Sequence, residues 1–162
     1  MYSLNAPLSP AADALVADLQ GDLPAGVRPR HRPTLVVKRL GGGDHRRVAA
    51  RSRAALSDAP ACAARVDGLG TFDGPTGPIL HLVVESPGLC LLHDRLCAAF
   101  DPVAGIEGAD YVPHVTLGRG GDPGAVAQFR DRDVPPVAWT VDELWLWDAD
   151  RRERIGSLPL GR

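Results

Sequence analysis

Apolar and polar positions along this chain switch repeatedly between a period of two and a helical period. Tyr2, Leu4 and Ala6 alternate with Ser3 and Asn5, which predicts a short edge strand. From Pro10 to Gln20 the apolar positions Ala14, Leu15 and Leu19 form a helical stripe, with Ser9 as N-cap and Pro10 in the first turn. The prolines and Gly26 between Pro24 and Pro33 predict a loop. Thr34 to Leu40 is a strand, Gly41 to Gly43 break it, and Asp44 caps a helix reaching about Leu56. Cys62–Asp67 and Thr71–Phe72 are extended on either side of Gly68-Leu69-Gly70, and Ile79–Val84 is a buried strand. A helix runs from about Leu89 to Phe100, and a loop follows from Pro102 to Tyr111. Val112–Gly118 is a strand, and Gly120 to Pro123 open a helix ending near Arg130. Val137–Trp147 then reads as one strand and Arg154–Leu160 as the last. This order, with βα runs and hairpin-like pairs, predicts an α+β fold of largely antiparallel sheets with helices outside.

Length narrows the picture: 162 residues suit one domain, 1–162, or two small halves around one core. At 44% hydrophobic and 23% charged residues the chain has a globular composition, which excludes wholesale disorder. No apolar run approaches the roughly 20 residues that span a bilayer, so no membrane association is expected. Met1 to Pro10 has neither a basic nor a continuous apolar region, and the cytoplasm is the expected location. Cys62, Cys90 and Cys97 are odd in number and widely spaced, which suits small apolar side chains rather than a disulfide framework or a zinc site. Nothing in the pattern signals oligomerisation, and a monomer is expected.

Charge is less even than the net of −2 suggests. Between Arg28 and Arg53 lie nine basic residues and a single acid, Asp44, a local charge of +8. From Asp131 to Arg154 seven acids face four arginines. The basic stretch is either an anion-facing surface or a solvated helix face.

Two segments match. Arg32-Pro33-Thr34-Leu35 and His114-Val115-Thr116-Leu117 each occupy a strand that leads through a glycine-rich turn into a helix. Their threonines are 116 − 34 = 82 residues apart, about half the chain, which suggests two similar halves presenting one strand each to a shared cleft. Alternation puts His114 and Thr116 on one face of the strand and Val115 and Leu117 on the other. An imidazole beside a hydroxyl suits an oxyanion such as phosphate, and Arg119 nearby supplies a bidentate partner.

With these residues in hand, the chain resembles the 2H phosphoesterase superfamily, and within it the 2′-5′ RNA ligase-like proteins. The resemblance rests on Tyr111-Val112-Pro113-His114-Val115-Thr116-Leu117-Gly118-Arg119. It extends to Val66–Phe72, Leu80–Glu85 and the helix containing Leu91-Leu92-His93. It implies a bilobed α+β fold with pseudo-two-fold symmetry and one His-x-Thr segment from each lobe in a central cleft. It also implies chemistry without a metal or other cofactor on 2′,3′-cyclic phosphates of RNA or nucleotides. One histidine would act as base and one as acid, and the hydroxyls would hold the phosphate. The reaction would give a 2′-phosphate, and 2′-5′ joining of RNA ends would be its reverse.

The first segment departs from that pattern. Arg32 stands where the family has histidine, and His31 lies one position earlier. A bulge at Arg32-Pro33 would turn His31 to Thr34's face and complete a second half-site. Without it, Arg32 binds phosphate, cannot transfer a proton at neutral pH, and leaves a catalytically degenerate RNA- or nucleotide-binding protein. The expected site is therefore His114 and His31 as catalytic residues. Thr34, Thr116, Arg119, Arg32 and Lys38 (at i+4 from Thr34) are expected to contact the phosphate. Tyr111 is a candidate for stacking on a base, and His81 is either a core histidine or a cleft residue near the ligand. His45 and His93 read as surface residues, and Trp139, Trp145 and Trp147 as packing residues. No residues show metal-ligand spacing, and Gly41 to Gly43 is a turn rather than a phosphate-binding loop.

Overall fold

A computed structural model describes residues 1–161. Nine strands join in one antiparallel sheet: β1 (Tyr2–Ala6), β2 (Val27–Pro29), β3 (Leu35–Gly41), β4 (Cys62–Gly74), β5 (Gly77–Glu85), β6 (His114–Gly120), β7 (Ala138–Val141), β8 (Glu143–Asp148) and β9 (Glu153–Pro159). The spatial order is β7-β4-β5-β6-β3-β1-β8-β9, with β2 paired to the far end of β6. Four α-helices accompany it: α1 (Pro10–Gly21), α2 (His45–Ala55), α3 (Pro87–Cys97) and α4 (Pro123–Arg130).

Each helix starts where a side chain accepts an otherwise unpaired amide. Ser9 caps α1 through the Ala12 N–H at 3.1 Å, Asp44 caps α2, Ser86 caps α3, and Asp122 caps α4 through Ala125 at 3.0 Å. A proline lies in the first turn of α1, α3 and α4, where its missing N–H costs nothing. The apolar stripe of each helix then closes over the apolar face of the sheet. Leu19 of α1, Val48 of α2, Leu92 and Leu96 of α3 and Val126 of α4 share one core with Leu4, Leu35, Leu82, Val115 and Leu146. Helix α3 packs on both β3 and β4, α4 on β4 and β5, and α1 on β6. Among the described residues no helix covers the sheet's other face.

Three expectations change. Tyr2–Ala6 is no edge: β1 lies between β3 and β8, and the edges are β7 and β9. Residues 137–147 form two strands that part at Asp142, β7 pairing with β4 and β8 with β1 at the opposite side of the sheet. The break shows as a change of phase: the apolar positions are odd at Trp139 and Val141 and even at Leu144 and Leu146, although both halves keep the period of two. The proline-rich 24–33 segment also contributes β2, whose Pro29 ends the strand at Gly118 of β6.

The strands carrying the two matching segments are neighbours at the centre of the sheet, with Leu35 paired to Val115. Both of these side chains are fully buried, so the next residues along, Thr34 beside Thr116 and Val36 beside His114, take the helix-free face. This is the α+β architecture, duplicated antiparallel sheet about a central cleft with helices outside, that the sequence predicts.

Candidate active site

The helix-free face of β4, β5 and β6 is built by cross-strand register. His81 pairs with Thr116, Val83 with His114, and Gly70 of β4 with His81. The imidazoles of His81 and His114 thus meet edge to face, with centroids 5.2 Å apart. Phe72 stacks on His81 at 4.0 Å and 18° and presents its edge to His114 at 5.0 Å. Glycine is needed at position 70, since a Cβ there would lie 2.7 Å from His81 Nε2. His81 is thereby both a cleft-face residue and a core one: it lies on the site side yet is only 3% exposed, filled over by Phe72.

His114 is half-buried, and its ring orientation is fixed. Nδ1–H donates to the Val112 carbonyl at 2.7 Å, which leaves Nε2 unprotonated and free to accept a proton. Burial lowers its proton affinity; the bond to Val112 opposes that, and the nearby charges of Arg39 and Arg119 reinforce it, so the net shift is downward. His81 is driven further, to about 4, by burial first and then by the charge of His114. At neutral pH both rings are neutral, and only His114 presents an open nitrogen.

Arg119 reaches this face because β6 carries a bulge. Gly118 pairs with Leu80 and Thr116 with His81, so Leu117 is the extra residue. It shifts the parity, and Arg119, three positions after Thr116, faces the same way as Thr116 and lies opposite Ile79. In an unbroken strand the odd spacing would turn Arg119 into the core.

The bulge expected at Arg32-Pro33 takes a larger form. Pro29 pairs with Gly118 and Leu35 with Val115, so five residues, 30–34, span what two residues span on β6. This excursion turns Arg32 away: its guanidinium lies 5.5 Å over the Trp147 ring and donates to the Arg152 carbonyl at 3.0 Å. The Thr34 hydroxyl donates to the Arg32 carbonyl at 2.9 Å. His31 is exposed and lines a groove with Arg30, Arg32, Thr34, Trp147 and Arg152. His31 thus stands open to this groove, whereas the His114 ring is fixed by its bond to Val112.

Lys38 is corrected outright. A second register shift makes Val37 the extra residue of β3, so Lys38 pairs with core Leu4 rather than sharing Thr34's face. It is 0% exposed, and its ammonium is bonded to Glu107 Oε1 at 2.7 Å and to the carbonyls of Arg39 and Asp101. Burial alone would raise the Glu107 carboxyl; the bond to Lys38 and the amides of Arg39 and Val103 hold it below its usual value. The same shift gives the site a residue that the sequence pattern does not single out. Arg39 is opposite Ser3 and exposed; its guanidinium lies 3.7 Å from Glu107 Oε2, and its charge disfavours the imidazolium of His114.

Tyr111 is also corrected. Its hydroxyl donates to the Val36 carbonyl at 2.9 Å and one face of its ring stacks on His93 at 3.9 Å, so that face is closed to a base. Burial raises its phenol strongly. His93, expected at the surface, is fully buried; its Nδ1–H donates to Val37 and its Nε2 accepts the Gly108 amide at 2.9 Å. The helix stripe hid it, because His93 falls beside Leu89, Leu92 and Leu96 on the face that meets β3. Together these two rings anchor the segment from Gly108 to Val112, whose last carbonyl orients His114. His45 is exposed as expected. Among the described residues no three His, Cys, Asp or Glu side chains gather to hold a metal ion. No helix among them is long and apolar enough to cross a membrane.

Four helices behind a curled antiparallel sheet, with the two motif strands side by side at its centre, define a 2H phosphoesterase fold. Residues 7–153 match the pattern of the 2'-5' RNA ligase superfamily, and the chain belongs to that family. No curated protein matches it in sequence. Among solved structures it is similar to TT0787 of Thermus thermophilus, with a TM-score of 0.72, 21% identity, and 99% of this chain and 98% of that one covered. It is similar to E. coli LigT complexed with NADP+, with a TM-score of 0.71, 18% identity, and coverage of 99% and 97%. Kluyveromyces marxianus Usb1 with uridine monophosphate follows the same fold at a TM-score of 0.56, 13% identity, and coverage of 98% and 97%.

Proposed function

We propose that the chain is a phosphoesterase that opens 2′,3′-cyclic phosphates of RNA ends or nucleotides to 2′-phosphates, without a metal ion. The observation that carries this reading is the open Nε2 of a neutral, oriented His114 beside Thr116 and Arg119 on one face. Nucleotides bound by structural relatives, such as NADP+ on LigT and uridine monophosphate on Usb1, support the ligand class.

In this reading Thr116 and Arg119, with Arg39 at the rim, hold the non-bridging oxygens and balance the charge that builds on phosphorus. His114 Nε2 takes a proton from water as the water oxygen bonds to phosphorus, and the P–O3′ bond breaks. The leaving 3′-oxygen takes a proton from His31 or from solvent. With a 5′-hydroxyl in place of water, the same displacement joins two ends through a 2′-5′ bond. Thr34 contributes its hydroxyl once that leaves the Arg32 carbonyl. One unit of two related halves, sharing this site at their seam, is the corresponding domain reading; a cytoplasmic monomer is its setting.

The excursion at 30–34 favours a second reading, nucleotide binding without turnover, because Arg32 replaces a histidine and is turned toward Trp147. Incubating 2′,3′-cyclic nucleotides with the protein in excess EDTA separates the two. Steady release of the 2′-phosphate is the expected result. Saturable binding with no product under any metal condition would replace the first reading with the second, and turnover only after metal is restored would overturn the metal-free step.

A further inference from the structure

The helix-free face continues past the candidate site onto β8. Trp145 and Trp147 lie there, half-buried, opposite Asn5 and Ser3 of β1. Packing alone does not account for them: their faces carry Arg154, at 4.7 Å from the Trp145 centroid, and Arg32, at 5.5 Å from Trp147. Beside Trp147 opens a groove of about 450 Å³ whose other walls are Arg30, His31, Arg32, Thr34, Ala149 and Arg152. Among the described residues no acidic side chain lines it. Thr34 belongs to this groove and, by the pairing of Leu35 with Val115, also stands beside Thr116. The groove and the phosphate site therefore meet at one residue.

Its chemistry is specific in kind. Three guanidinium groups and an imidazole along one open channel favour a run of phosphates. A tryptophan ring with a guanidinium plane beside it is a surface on which a nucleobase stacks. Part of the +8 stretch thus has a defined place: Arg30 and Arg32 face this channel, whereas Arg46, Arg47, Arg51 and Arg53 lie on or beside α2.

We propose that this groove is a second nucleotide subsite, in which Trp147 stacks a base and Arg30 and Arg152 hold the backbone of single-stranded RNA leading into the His114 site. The inference rests on the phosphoesterase reading and deepens it: the preferred substrate is an oligonucleotide rather than a cyclic mononucleotide. The Arg32 guanidinium, 5.5 Å from the centroid of the Trp147 ring, adds a cationic plane next to the ring on which the base stacks.

The test compares a cyclic mononucleotide with an RNA tetramer ending in a 2′,3′-cyclic phosphate, for the unchanged chain, Trp147→Ala and Trp147→Phe. The ratio of kcat/KM for tetramer over mononucleotide is expected to fall about tenfold in Trp147→Ala, the size of one lost base stack, and to recover mostly in Trp147→Phe. In parallel, fluorescence anisotropy follows a labelled RNA tetramer with a terminal phosphate at several salt concentrations. Arg30→Ala combined with Arg152→Ala is expected to lower the slope of log affinity against log salt by roughly 1 to 2. An unchanged ratio in Trp147→Ala, or an unchanged salt slope in the arginine variant, overturns the subsite. If no cyclic phosphate is opened but tetramer binding still weakens about tenfold in Trp147→Ala, the subsite stands and the phosphoesterase reading falls.

Discussion

Replacing His114 by alanine is expected to lower the turnover of a 2′,3′-cyclic nucleotide by about a thousandfold, the contribution of a positioned proton-transfer group. The reason is that no other group can take over at the same place. His81 is the nearest imidazole, but it is sealed under Phe72 and over Gly70, and its proton affinity is depressed to about 4. Thr116 and Arg119 remain in the variant, so nucleotide affinity should change far less than rate, which separates loss of chemistry from loss of binding. His114 is half-buried at the rim of its cluster, and its loss should leave the melting temperature within a few degrees of the parent. A loss of rate below about tenfold would mean that proton transfer runs through another residue.

The largest expected effect on stability lies away from the chemistry. Glu107→Ala leaves the Lys38 ammonium fully buried without its counter-charge and should cost about 3–5 kcal/mol, measured as a shift of the urea midpoint. Glu107 also accepts the amides of Arg39 and Val103, so the variant frees the 101–107 loop as well. Replacing both partners, Lys38→Met with Glu107→Leu, should recover most of the loss, because neither side then leaves a stranded charge. The double variant being as unstable as Glu107→Ala would show that the loop amides, not the ion pair, carry the cost. The carboxyl's lowered proton affinity adds a pH signature: its stabilisation is complete above 4.5 and fades as acid titrates it in the folded state.

Much of this protein is written in short-range pattern. Strand alternation and N-cap residues place β1, α1, α2, β5, β6 and α4 to within a few residues, and the His114–Thr116 pair follows from a period of two. What the pattern does not carry is parity across bulges. One extra residue at Val37 sends Lys38 into the core and brings Arg39 to the site, and one at Leu117 brings Arg119 to the face of Thr116. Each bulge is set by its partner strand, β1 opposite Val37 and β5 opposite Leu117, and neither partner is the adjacent strand of a hairpin. His93 and Tyr111 escape the pattern for the same reason: their ring stack and their bonds to β3 carbonyls join three separate segments. The glycines at 68 and 70 are the available signal for β4. Gly68 adopts a φ of +96° at the Asp67–Gly68 bulge, and Gly70 clears room for a ring, so the break expected there is a kink within one 13-residue strand.

The central claim is that His114 is a neutral imidazole whose open Nε2 meets the phosphate. Histidine side-chain NMR tests it directly, by titrating the protein with pH in the absence and presence of adenosine 2′-phosphate. In the free protein the His114 ring should titrate below the ordinary 6.5, and His81 only near 4. Binding of the nucleotide should raise the His114 midpoint by about one unit, since a phosphate dianion beside Nε2 favours the imidazolium. A bound nucleotide that leaves the His114 midpoint unmoved would contradict the account.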